Sequence, residues 1–169
     1  MALREAAGRV HIDLPRAEAW ERLRDLSLAH NYVPGVAAIR IDTERREGVG
    51  ASRTVTMDNG REMQETVVEW DEGHGFLLRL HRGDKPAMPI FSRFYFRYRL
   101  DDEDGGEGTV IAPALIYETR FGLLGTLLGK LIHAPLSASA QDIGLAMKDF
   151  YETGRPVTHE RLKQLKRAG

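Results

Sequence analysis

The stretch "SRTVTMDNGREMQET", residues 52–66, decides the fold. A polar turn, Asp58-Asn59-Gly60, separates two alternating runs, the pattern of an antiparallel hairpin. Directly opposed residues in such a pair project to the same face, so the loop length fixes which residues share a face. A two-residue Asn59-Gly60 turn sets Thr54 against Glu65 and Val55 against Gln64, which mixes polar and apolar side chains on both faces. A three-residue loop, with Gly60 in the left-handed conformation, sets Met57 against Arg61, Val55 against Met63, Arg53 against Glu65 and Ala51 against Val67. The other face then collects Ser52, Thr54, Thr56, Glu62, Gln64 and Thr66. This second arrangement gives one polar face and one mainly apolar face, and a one-residue slip destroys the separation. Arg53 and Glu65 are therefore expected to oppose each other on the apolar face. Burying either charge alone is costly, whereas a hydrogen-bonded pair is tolerated. Such a pair adds little net stability, so its placement points to function. The competing reading sets the pair at the rim of the sheet, in reach of water.

The same reasoning extends outward. In "SRFYFRYRL", Arg93, Tyr95, Arg97 and Arg99 share one face, and Ser92, Phe94, Phe96, Tyr98 and Leu100 the other. The arginine face is expected in water and the aromatic face inside. In "GFLLRLH", the same phase puts Phe76, Leu78 and Leu80 inside. Upstream, "RVHIDL" alternates, "PRAEAWERLRDL" starts a helix at Pro15, and "SLAHNYV" forms a second short helix stopped by Pro34-Gly35. "GTVIAPALIYE" is the last strand, with a bulge expected at Pro113 because proline removes a ladder donor. Leucines in 121–136 recur at helical spacing until Pro135, and a final helix over 137–152 carries Ala140, Ile143, Met147 and Phe150 on one stripe. Strands bounded by helices argue an α+β fold, with the antiparallel sheet covered by that final helix.

At 169 residues the chain suits one domain. Domain limits are read as a tail over 1–8, a single domain over 9–152 and a basic tail over 153–169. A net charge of −1 gives no bulk pull toward nucleic acid. The chain has no cysteine, which excludes disulfides, thiolate metal sites and cysteine nucleophiles. Its six histidines form no HExxH motif or tight cluster, so no metal is expected, and "GVGASR" lacks the rest of a phosphate loop. No cofactor is expected. "FGLLGTLLGKLIHAPL", residues 121–136, is too short and interrupted to span a bilayer, and a cytoplasmic location is the expectation.

Several segments, taken in order, resemble the START-like helix-grip superfamily (SRPBCC), in its polyketide cyclase/dehydrase and lipid-transport branch. They are "IDLPRAEAWERLRDL", "YVPGV", "GVGASRTV", "DNGREMQETVVEWD", a proline-containing loop, "FSRFYFRY" and a closing long helix, spread over residues 9–152. The resemblance implies a curved seven-stranded antiparallel sheet around a long C-terminal helix, with two short helices between the first two strands and a cavity for a hydrophobic molecule. It also implies that Arg53 and Glu65 match positions where receptor-type relatives place cavity charges. No catalytic set carries over.

Arg53 and Glu65 are candidates to hold a polar group by charge-assisted hydrogen bonds. Val55, Met57, Met63, Phe76, Leu78, Phe94, Phe96, Tyr98, Ile143, Met147 and Phe150 are candidate apolar lining, although each alone is more often ordinary core. Three functions fit these residues. The first is a carrier for a small hydrophobic or amphipathic ligand of lipid, polyketide or steroid type. The second is a cyclase or dehydrase using Glu65 or Tyr98 for acid–base work in the same cavity. The third is a module that docks transiently on a membrane or partner through 121–136.

Overall fold

Asp58, Asn59 and Gly60 close the hairpin in the three-residue form that face sorting requires. A computed structural model describes residues 3–103, 105 and 107–169; Met1, Ala2, Asp104 and Gly106 lie outside the described residues, so the acidic loop 101–108 is described only in part. Met57 N–H donates to the Arg61 carbonyl and Gly60 N–H to the Met57 carbonyl, both at 2.8 Å, with Gly60 at φ 79°. Strands β4 (Ser52–Met57) and β5 (Glu62–Asp71) then pair with Val55 opposite Met63 and Arg53 opposite Glu65.

The remaining elements build an α+β fold around this pair. In chain order they are β1 (Arg4–Ala7), β2 (Val10–Ile12), α1 (Arg16–Leu23), a 3-10 helix (Leu26–Asn31) and β3 (Val36–Ile41), followed by β4 and β5. Then come β6 (Gly75–Arg82), β7 (Lys85–Pro86), β8 (Phe91–Asp102), β9 (Thr109–Ile111), β10 (Ala114–Thr119), α2 (Gly122–Thr153) and α3 (His159–Ala168). The antiparallel path runs β1-β10-β8-β6-β5-β4-β3, with β2 on β9, β9 on β8 and β7 on β6. Ten segments thus make seven ribbons and one two-residue edge. Register is continuous from β1 to β2, because Ala7 faces Ala114 and Val10 faces Ile111. This is the helix-grip arrangement, a curved antiparallel sheet with a long C-terminal helix.

Curvature comes from single extra residues, each of which bends its strand. Ala37 is extra in β3, Val68 in β5 and Ser92 in β8. The bulge expected at Pro113 is absent. Leu100 faces Ile111 and Arg97 faces Ala114, so the chain keeps step across the proline. Pro113 costs the ladder one donor but inserts no residue. The shift in that ribbon falls between Glu118 and Thr119 instead.

Three other expectations are corrected. Residues 4–7, read as part of a tail, form an edge strand; "REAA" is too short for its period to show. Gly8 allows that strand to cross α2 closely, since a Cβ there would lie 2.7 Å from the Gln141 backbone. The basic tail holds a helix, α3, capped by the Thr158 side chain and clipped to α2 by Arg161 on Asp149. Pro135 does not break the helix before it: α2 runs unbroken through it. The carbonyl that loses its donor belongs to Leu131, on an exposed side of the helix where water can satisfy it.

Candidate functional site

Arg53, near the start of β4, and Glu65, opposite it within β5, sit on the concave face that α2 covers. Arg53 is 2% exposed and Glu65 7%. Arg53 Nε donates to Glu65 Oε2 at 2.7 Å, and Nη2 lies 2.6 Å from the same oxygen. Arg53 Nη1 donates to the Leu26 carbonyl at 2.5 Å, at the start of the 3-10 helix. The rim alternative is thereby removed: the pair is buried and hydrogen-bonded to the backbone as well as to itself. Burial works against the Arg53 charge and Glu65 works for it; the balance raises its pKa above the usual arginine range.

Tyr98 on β8 stands beside the pair, backed by Tyr32 after the 3-10 helix and Tyr151 on α2. Tyr32 contacts Tyr98 edge-on at 6.4 Å between centroids and Tyr151 edge-on at 5.7 Å. Burial pushes the Tyr32 phenol up to about 12 and raises Tyr98 and Tyr151 well above the usual range; the Arg53 charge opposes the shift at Tyr32 and Tyr98. The three phenols are therefore neutral at ordinary pH. The Tyr151 hydroxyl is sealed from solvent and faces the Tyr32 phenol.

A cavity of about 380 Å³ opens against this cluster. Arg53, Glu65 and Tyr98 line it together with Val55, Met57 and Met63 from the hairpin, Phe94 and Phe96 from β8, and Ile143 from α2. Its exposed lining residues, Asn59, Arg61, Glu62, Arg82, Met88 and Ser139, mark a mouth between the hairpin loop, residues 85–90 and α2.

Four of the residues expected in the lining lie elsewhere. Phe76 stacks on Trp70 at 5.4 Å and touches Trp20. Phe150 packs on Tyr32 at 5.9 Å. Leu78 and Met147 are enclosed in the packed core. Strand phase and helix stripe give the face correctly, but they do not say which part of that face is filled. Trp20, Tyr32, Trp70 and Tyr151 plug one end of the groove and leave the other end open. Leu80, Leu115, Leu136, Ser139, Ala29, Val33, Ala87 and Met88 also line the cavity, beyond the lining candidates read from the sequence. The signal for Leu80 was present, since it shares the phase of Leu78; Leu136, Ser139 and Ile143 follow the i, i+3, i+7 spacing of one helical face.

A family model described as "polyketide cyclase / dehydrase and lipid transport" matches residues 4–146. The chain belongs to this family. Solved structures agree on the fold. The crystal structure of Ara h 8.0201 superposes with a TM-score of 0.66 at 17% identity, covering 90% of this chain and 99% of that one. A protein from Thermus thermophilus gives 0.65 at 19% identity, covering 89% and 99%. A START superfamily protein from Mycobacterium smegmatis gives 0.61 at 14% identity, covering 88% and 97%. No curated protein matches the chain. In this member of the polyketide cyclase/dehydrase and lipid-transport family, no group of three or more potential metal ligands occurs among the described residues. The cavity offers instead one neutralised ion pair and one phenol set in an apolar wall.

Proposed function

We propose that this protein binds or carries a small hydrophobic or amphipathic molecule in the cavity beside Arg53 and Glu65. One observation carries the reading: a largely apolar cavity of about 380 Å³ with its few buried polar groups gathered on one wall. That volume falls within the range of about 300–1,000 Å³ typical of small-molecule pockets, and apolar walls with a few placed polar groups are their usual make-up. Apolar surface would drive uptake, and the polar wall would orient the ligand. Native mass spectrometry of gently purified protein tests this. A co-purified small molecule is expected. Ligand-free protein with no thermal shift across a panel of lipids and polyketide-like aromatics would remove the reading.

A specific observation also favours a surface role for the start of α2. Phe121, Leu123, Leu124, Leu127 and Leu131 are all exposed, Leu123 at 92%. At 3.6 residues per turn the four leucines fall within about 100° of arc. Residues 119–141 contain no aspartate or glutamate, while Arg120 and Lys130 are exposed. An apolar arc with basic neighbours suits an anionic bilayer surface. No helix is long and apolar enough to cross a membrane among the described residues, so contact would be superficial. Flotation with vesicles of phosphatidylcholine and phosphatidylglycerol should carry the protein upward, and Leu127→Asp should abolish this. Protein that stays with the soluble fraction, or that dimerises through this face instead, would remove the surface reading.

A further inference from the structure

We infer that the cavity selects a neutral ligand bearing a hydroxyl or phenol, and rejects a carboxylate at its polar wall; this rests on the carrier reading above. The reason lies in how the ion pair is already committed. Arg53 directs Nε and Nη2 at a single oxygen, Glu65 Oε2, and Nη1 at the Leu26 carbonyl. Its charge is matched inside the protein, so little is left to attract an anion. Glu65 Oε1, by contrast, accepts no hydrogen bond from any described residue. Glu65 lines the cavity, and Oε1 is not among the sealed, unpartnered atoms, so a ligand can reach it.

The group presented to a ligand is thus the free half of a carboxylate. A hydroxyl can donate to Oε1 and accept from the phenol of Tyr98, which lines the same cavity. A ketone could only accept, leaving Oε1 unmatched. A carboxylate would set a second negative charge against Glu65 where water is scarce, and like charges at that range repel strongly. Burial keeps the Tyr98 phenol protonated and able to donate. A carboxylate has one other place to go, because Arg61 and Arg82 stand at the mouth with Glu62. The polar end would then face out, the reverse of the orientation inferred here.

Decanol and decanoate share chain length and differ in the head group, so they separate these cases. Each would compete with the neutral fluorophore N-phenylnaphthylamine for the full-length protein at neutral pH. Decanol is expected to displace the probe at a concentration at least about tenfold lower than decanoate, a difference of about 1.4 kcal/mol. Tyr98→Phe, which keeps the ring, should narrow that ratio several-fold. Equal displacement, stronger displacement by decanoate, or decanoate binding that is lost in Arg61→Ala would overturn the inference and leave the carrier reading standing. A probe that shows no saturable binding would sink the carrier reading and this inference with it.

Discussion

Replacing Glu65 with glutamine keeps the side chain's shape and removes its charge. Arg53, 2% exposed, is then a buried cation whose remaining acceptors are the Leu26 carbonyl and the new amide oxygen. Removing one partner of a buried ion pair costs about 3–5 kcal/mol. The amide can still accept one hydrogen bond, so the lower end applies, about 3 kcal/mol. For a chain of this size each kcal/mol moves the melting midpoint by about 2–4 °C, giving a fall of about 6–12 °C. The double variant Arg53→Met with Glu65→Leu behaves differently, because desolvation of both charges disappears with their attraction. It should lie within about 1 kcal/mol of the wild type, or above it. Urea unfolding followed by circular dichroism measures both, and the cycle gives the coupling between the two sites. A single variant that loses less than about 1 kcal/mol would refute the reasoning, since it would mean that Arg53 finds water without moving far.

Two other perturbations follow from the same environment. Tyr32 is held neutral up to about 12, and Tyr98 and Tyr151 are also raised well above the usual range, whereas unfolded tyrosine ionises near about 10. The native state therefore keeps protons that the unfolded state releases; stability is intact below about 10 and falls as pH rises toward the folded values. Phenolate absorbance should rise in step with loss of circular dichroism over that window, and full ionisation of these phenols in a still-folded protein would contradict it. Asp149→Ala removes the clip from Arg161, whose side chain is half in water, so the global loss should be smaller than for Glu65→Gln. Trypsin should then cut at Lys163 and Lys166 faster than in the wild type, and an unchanged cleavage rate would show that α3 is held by other contacts.

Much of this architecture was legible because one loop length sorts every residue of the hairpin. Alternation together with the three-residue loop put Arg53 and Glu65 on the apolar face but left open whether that place was buried or at the rim, and β8 could be phased by its arginines. Alternation has a period of two and says nothing about position along a groove. That is why Phe76 and Leu78 share the right face yet lie in the filled end, and a helical stripe is equally silent on position for Met147 and Phe150. The plug is built from Trp20, Tyr32, Trp70 and Tyr151, which come from four different parts of the chain and meet only in three dimensions. Pro135 misled for a related reason: whether a proline breaks a helix depends on whether the freed carbonyl reaches water, and sequence does not give that. The edge strand β1 is too short to show a period and is fixed by its partner β10.

Methyl NMR of the five methionines tests occupancy of the cavity most directly. Met57, Met63 and Met88 line it, while Met147, on α2, is enclosed in the packed core. Titration with decanol should shift the methyl signals of Met57, Met63 and Met88 together and saturably, and leave that of Met147 in place. Unmoved cavity methyls at saturating ligand, or shifts confined to Met147, would contradict a ligand seated beside Arg53 and Glu65.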